Sequence, residues 1–551
     1  MNEIITISDL FATVRCDDLR WLAWRLPEDL PRGLCSKELR VLHLSWSGIR
    51  ELPGPLPSLK ILEIEECFNL EGFSTEIGKS MPLLRRLNFS RCKRLKSLDS
   101  SIGRLTDLRS LTIKWCDSMM HLPEEMRKLS SLRELTLGYL TQIKTFSLPP
   151  NLRTLTLREC WSLESLDDAS FPDLEQLHVW HCPKLKKLPV LGSSLARLTV
   201  DRCDGLVLDD DDECLEWKDL PSLRELSLGC LTQIKTLSLP PNLQMLTLRR
   251  CCGLQSVNAS FPHLEQLHVR DCPMLRKLPV LGNSLARLVD NEWLELKDLP
   301  SLRELSLTFP GKIKTLSLPP NLRTLILRGC ESLESVHASL ANLEELRLFA
   351  CRKLKKLPVL GSSLVQLRAE YCDGLVIDDE CLEFKDLPSL RELNLRALTR
   401  IKTLSLPKSL QTLTLEECWS LENMDASFLH LQELDIRDCG KLKKLRVHGS
   451  SLVRVTVDGC GGLVLDDDDC LELKDLPSVR ELKLSWLSSL KCVSCLPTNL
   501  RDLSLEYCGN LERVDLSTVT DLRSLSIYCC RLSFDREEVM KRFPSLEFYR
   551  Q

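Results

Sequence analysis

The segment Asn151-Leu152-Arg153-Thr154-Leu155-Thr156-Leu157-Arg158-Glu159-Cys160 spaces its leucines by three and then two, with a cysteine eight residues after the first. If that first leucine is position zero, positions zero, three and five point inward, and positions two, four, six and seven are left to face outward. The spacing L-x-x-L-x-L recurs from Leu39 to Leu522, with Val, Ile, Phe or Ala accepted at the later apolar positions. It gives 23 units over 483 residues, about 22 residues each. Partial copies flank the array at Leu19-Arg20-Trp21-Leu22 and Ser545-Leu546-Glu547-Phe548.

This is the leucine-rich repeat, a short strand followed by a returning segment. One unit cannot bury its own leucines, so stacked units must share a continuous core. The expected fold is an α/β-type solenoid, a horseshoe with a concave parallel β-sheet and a mostly irregular or 3-10 convex side. At the usual strand spacing the inner arc would measure roughly 110 Å. Many return segments carry proline, as in Leu148-Pro149-Pro150-Asn151 and Leu318-Pro319-Pro320-Asn321, which disfavours helix. The division expected is a cap and first partial repeat over 1–38, the solenoid over 39–531, and a capping helix with a last partial repeat over 532–551. Asp535 with Glu538 resembles a capping box for that helix, and Pro544 ends it.

A longer period of about 90 residues overlies the short one, beginning at Leu132 and returning from Leu223, Leu302, Leu390 and Val479. Each block holds four units, and the last copy is incomplete. The third block is shorter near Val289-Asp290-Asn291. Composition fits an array better than several globular cores: 121 of 551 residues are Leu, about 22%, and only 5% are aromatic. Sixteen of the 26 cysteines stand at position eight. A reduced thiol there is a small, weakly polar filler for a buried slot. The start Met1-Asn2-Glu3-Ile4-Ile5-Thr6 has no basic segment and no apolar run, so no secretory leader is expected. The reading is therefore cytoplasmic or nuclear, with thiols reduced.

The chain carries 74 basic and 78 acidic residues, a net charge of −4. That balance argues against a dedicated nucleic-acid or anionic-membrane binder. No uncharged apolar stretch reaches 18 residues, so no membrane span is expected. Gly78-Lys79-Ser80 resembles the end of a phosphate loop, but five residues rather than four separate it from Gly72. Cys492-Val493-Ser494-Cys495 has no partner pair or nearby His. With nine His and no triad or zinc-protease spacing, neither a catalytic residue nor a metal or cofactor site is expected. The acidic loops at 209–213, 378–380 and 466–469 lack a calcium-loop spacing and read as solvated edges. The basic clusters Lys184/Lys186/Lys187, Lys353/Lys355/Lys356 and Lys441/Lys443/Lys444 lie one unit away and are expected to screen them.

The informative positions are those facing outward from the strands. They carry Trp46, Trp115, Tyr139, His178, Trp180, His181, Phe309, Phe349, Tyr371, Trp486, Tyr507 and Tyr528. Among these stand Arg158, Glu159, Arg249, Arg250, Arg270, Asp271, Arg328, Arg437 and Asp438. Aromatic rings and arginines are the usual anchors of protein interfaces, and here they vary over a constant leucine frame. A protein-binding concave face is the expectation. Scattered exposed aromatics are the plainer alternative.

The opening Leu19-Arg20-Trp21-Leu22-Ala23-Trp24, with Leu26-Pro27 and Leu39-Arg40-Val41-Leu42-His43-Leu44, resembles the leucine-rich region of plant nucleotide-binding disease-resistance receptors. So do Ser101-Ile102-Gly103-Arg104-Leu105 and Leu108-Arg109-Ser110-Leu111-Thr112-Ile113 with Cys116 and Leu122-Pro123. The resemblance implies a non-enzymatic recognition module in defence. It implies a pathogen effector or a guarded host protein as ligand, and a nucleotide-binding signalling partner. Two alternatives remain at this point. One is the substrate-recognition adaptor of a ubiquitin ligase, suggested by Leu26-Pro27-Glu28-Asp29-Leu30. The other is a general leucine-rich-repeat scaffold.

Overall fold

Leucines at positions zero, three and five are shielded from solvent along the array, as at Leu152, Leu155 and Leu157, each 0% exposed. Removing a leucine side chain from water contributes about 2 kcal/mol. A repeat meets that condition only by stacking, and the computed structural model is a solenoid of parallel strands. It describes residues 19–25, 37–52, 55–73, 76–166, 170–206, 214–275, 280–290, 299–308, 313–376, 384–425, 430–443, 450–463, 470–473, 476–532 and 534–550. The acidic loops, Leu26 to Leu30, Lys444 and Phe309 lie outside the described residues.

The chain divides into two units, Met1–Ser284 and Leu285–Gln551. In the first, strands from Trp21–Trp24 and Val41–Ser45 to Gln266–Arg270 pair in parallel, each with the next repeat. In the second the same pattern runs from Arg287–Asp290 to Ser524–Tyr528, and Phe548–Arg550 adds a last strand. Both partial repeats thus supply strands. Register is residue for residue, so Gln176–Trp180 sets His178 opposite Thr156 and Thr199, and Trp180 opposite Arg158 and Asp201. At the entry to most strands the N–H groups of positions one and two share one carbonyl of the preceding repeat. Arg153 and Thr154 both donate to Arg133 O, at 2.8 and 2.9 Å.

The strand ends through one residue. Every described residue at position seven, from Trp46 to Cys529, has φ between +52° and +63°. In a continued strand this side chain would point into the core, by the period of two. The left-handed conformation turns it outward and lets its N–H extend the ladder by one rung. Tyr139 N donates to Arg158 O at 2.7 Å, and Glu159 N to Trp180 O at 2.8 Å. Position eight then points inward. Cys67 Sγ lies 3.8 Å from Leu44 O and 3.6 Å from Glu65 O, and Cys351 Sγ lies 3.7 Å from Leu327 O and 3.6 Å from Phe349 O. Burial pushes the Cys67 thiol up to about 12, so it stays protonated and can donate. All sixteen position-eight cysteines are free thiols. Cys492, outside that set, is disulfide-bonded, so the fully reduced reading does not hold there; Cys495 is free and exposed. A turn follows the cysteine, with Leu163 N–H closing on Cys160 O at 3.3 Å.

The return side is more ordered than its prolines suggest. Short parallel strands recur there, including Cys214–Glu216 with Thr236–Ser238 and Ser256–Asn258, and Thr403–Ser405 with Asn423–Asp425. The 3-10 turns Ser100–Arg104 and Glu124–Lys128 occupy the early repeats. Extended pairing needs no i to i+4 bond, so proline before it is tolerated. The long period reappears as a contact: Asn151 Nδ2 donates to Ser130 O at 3.0 Å, Asn242 Nδ2 to Pro221 O at 3.2 Å, and Asn321 Nδ2 to Pro300 O at 2.9 Å. Gly78 lies in the one-turn helix Ile77–Ser80, where its N–H meets Ser101 Oγ at 3.0 Å and a Cβ would strike Ser101 O. That glycine serves close packing of repeats. The lysine clusters reach the preceding unit: Lys443 Nζ is 2.8 Å from Glu422 Oε2 and Lys355 Nζ 3.7 Å from Glu334 Oε2. At the C-terminus, the helix Arg536–Arg542 is capped by Asp535, which accepts from Glu537 N–H at 2.8 Å.

None of the 23 position-seven residues is Val, Ile or Thr. Branching at Cβ is the costliest feature in left-handed backbone. Ala350→Val is therefore expected to lower unfolding free energy by about 1–2 kcal/mol. Ala350→Leu and Ala350→Gly should not show that loss, and urea midpoints of the three variants decide the order.

Candidate functional site

Positions six and seven of successive repeats form one rim of each sheet, because the left-handed residue keeps both side chains outside. In the first unit this rim is a run of touching rings and guanidiniums. Arg91 lies over Trp115 at 5.2 Å from the ring centroid, and Trp115 stacks on Tyr139 at 4.5 Å with 16° between planes. Arg158 sits between Tyr139 and Trp180, 5.8 and 4.5 Å from their centroids, and Arg202 covers Trp180 at 5.6 Å. Each ring meets partners from the repeats before and after it. Such contacts contribute about 0.5–1 kcal/mol each at exposed sites.

Carboxylates pin the run. Glu66 pairs with Arg91, and Asp201 accepts from Trp180 Nε1 at 3.3 Å. His181 Nδ1 lies 2.7 Å from Glu159 Oε2, and the nearly buried Glu159 is thereby taken up inside the site. His178, at position four, sits lower on the sheet, with Nδ1 3.1 Å from Thr199 Oγ1. Burial, reinforced by Arg197, lowers its pKa and favours the neutral ring. Further along, Arg250 and Arg270 lie 3.8 and 3.6 Å from Asp271, beside exposed Arg249.

The second unit holds shorter groups. Phe349 meets Tyr371 edge to face at 5.6 Å, and Arg396 covers Tyr371 at 5.3 Å while pairing with Glu416 and Glu417. Trp486 stacks on Tyr507 at 4.2 Å and 8°, Tyr507 meets Tyr528 at 5.5 Å, and Arg550 covers Tyr528 at 4.2 Å. Arg437 is held by Asp435, its Nε 2.8 Å from Oδ1. Arg328 is exposed beside left-handed Gly329 and joins neither group. Trp46, 51% exposed, touches Phe68 but stands apart from the run that starts at Arg91.

Position nine extends the rim and escaped the sequence reading. Phe68, Trp161 and Trp419 are exposed, Phe68 lies 5.6 Å from Trp46, and Trp161 lies 4.6 Å from His181. Each follows a position-eight cysteine, so an aromatic directly after that cysteine was the available signal. No group of three or more metal-ligating side chains occurs among the described residues. A groove of about 580 Å³ in the second unit runs along the opposite edge of the strands, lined by Ser363, Arg391, Ser409, Gln411 and His430 among others. It contains none of the residues singled out above.

No family model matches the chain. Its curated relatives are plant disease-resistance proteins of Arabidopsis thaliana. Disease resistance protein RRS1 is 25% identical over 337 residues, 61% of this chain and 24% of that protein. Disease resistance protein RPS4B is 29% identical over 233 residues, 41% of this chain and 18% of that protein. The chain thus spans about a quarter or less of the length of these relatives. Among solved structures, YopM from Yersinia enterocolitica WA-314 gives a TM-score of 0.44 at 21% identity, covering 94% of this chain and 92% of that one. No helix among the described residues is long and apolar enough to cross a membrane.

If the rings form a coupled platform, Trp486→Ala and Tyr507→Ala will not add. A double-mutant cycle on stability should return a coupling of about 0.5–1.5 kcal/mol. A coupling near zero would mean the stack does not hold in solution.

Proposed function

We propose that the chain is a non-enzymatic recognition protein of plant defence, holding a protein ligand on the outward face of its strands. The reading rests most on one observation: from Arg91 to Arg202 the rim is a continuous run of arginines and aromatic rings laid over a recurring apolar frame. Rings and arginines supply most interface energy, and fixing them against one another lowers the entropy cost of binding. The kinship with disease-resistance proteins supports a defence role. By that analogy the ligand is a pathogen effector or a guarded host protein, met in the cytoplasm, with a nucleotide-binding signalling partner. Residues 39–531 carry the recognition repeats, and 1–38 and 532–551 close the two ends. The residues assigned to contact are Trp115, Tyr139, Arg158, Trp180, Arg250 and Arg270 in the first unit, with Trp46 and His178 as flanking contacts. Arg328, Phe349, Tyr371, Trp486, Tyr507 and Tyr528 are assigned in the second, with Phe309.

The test is a pull-down from host tissue with wild type and a Trp115/Trp180/Trp486 triple alanine variant. A partner recovered by wild type should be lost or reduced at least tenfold with the variant. Equal recovery by both would refute recognition through this face.

A further inference from the structure

In the first unit several of the rim's arginines are open, while most of its carboxylates are engaged. Glu159 is held by His181, Asp201 by Trp180, and Glu66 by Arg91. Arg158, Arg202 and Arg249 are exposed, and among the described residues no carboxylate pairs with them. Arg250 and Arg270 share the single carboxylate of Asp271. In the second unit more of the arginines are taken up: Arg347, Arg396, Arg437 and Arg454 each meet a carboxylate on the same face, while Arg328 and Arg368 stay exposed.

Resting on the recognition reading above, we propose that the rim from Trp115 to Arg270 binds an acidic, extended polypeptide segment of the partner. Eight repeats span roughly 34 Å at the parallel strand spacing. An extended segment of about ten residues covers that distance. It would cross the strands, setting carboxylates against Arg158, Arg202, Arg249, Arg250 and Arg270. Gly138 and Gly229, both at position six, carry no side chain of their own, and the neighbouring Lys114 and Asp201 side chains lie against them. A guanidinium stacked on a ring keeps its N–H edges free for bidentate bonds to carboxylate. Single-stranded nucleic acid fits less well. Trp115 is covered by Arg91 on one side and Tyr139 on the other, and Trp180 by Arg158 and Arg202, so neither ring offers a face for a base.

The full chain is titrated against a labelled ten-residue peptide rich in Asp and Glu and against its Lys-substituted counterpart, read by fluorescence anisotropy. The acidic peptide should bind, and the basic one should not. Arg158→Glu/Arg202→Glu should weaken binding at least tenfold with an unchanged circular dichroism spectrum. Arg368→Glu, an exposed substitution in the second unit, should leave it unchanged. Absent binding, equal affinity for both peptides, survival of binding after the double reversal, or tighter binding of a single-stranded RNA of equal charge overturns the proposal. The partner pull-down separates the two readings. Capture lost with the tryptophan variant but kept with the arginine reversals refutes the acidic segment alone. Capture kept with both refutes recognition through this face as well.

Discussion

Each turn of this solenoid must leave its strand without stranding a backbone donor, and one left-handed residue does it. At position seven the backbone reverses hand, its N–H still reaches the next repeat, and its side chain stays outside. The buried thiol at position eight and the doubled row of outward side chains at six and seven follow from that reversal. Without it, position seven would fall into the leucine core, and Trp115 could not stack on Tyr139. The rim of rings and arginines is thus a by-product of how the chain ends a strand.

The cysteines answer the same constraint from inside. A slot beneath the left-handed residue must be filled by a small group that tolerates two nearby carbonyls, and a cysteine side chain does both. The row of thiols is interrupted where position eight becomes Leu140, Leu231, Leu398 or Leu487, each in the first unit of a 90-residue block. At the second unit of several blocks an asparagine clamps the repeat before it. The long period is therefore structural, because the units within a block differ in what fills the slot and what ties the return side, and the difference recurs from block to block.

The leucine spacing made the strands, their direction and their register legible, since L-x-x-L-x-L admits only one face for burial. Position-eight cysteines were legible for the same reason. The left-handed residue leaves only a negative trace in the sequence, the absence of Val, Ile and Thr at position seven. The position-nine rings Phe68, Trp161 and Trp419 were passed over because a pattern counted from the first leucine stops at the cysteine. Return-side pairing was hidden by proline, which argues against helix but is silent about short extended ladders. Which rings would touch was also hidden: Trp115, Tyr139 and Trp180 lie 24 and 41 residues apart in sequence, and only stacked repeats make them neighbours.

Net charge was the least informative number. A value of −4 from 74 and 78 residues describes the whole chain. At physiological salt, charges are screened beyond roughly 8 Å, less than two strand spacings. A charge placed at Arg158 would therefore respond to Arg158, Arg202 and Glu159, and hardly at all to Asp271, five repeats further along the same unit. Balance across a long array is compatible with strong local sorting, because each repeat contacts only its neighbours. The leucine frame is repeated many times over, and the side chains at positions six and seven can differ from one stretch of rim to the next without disturbing the core that holds them.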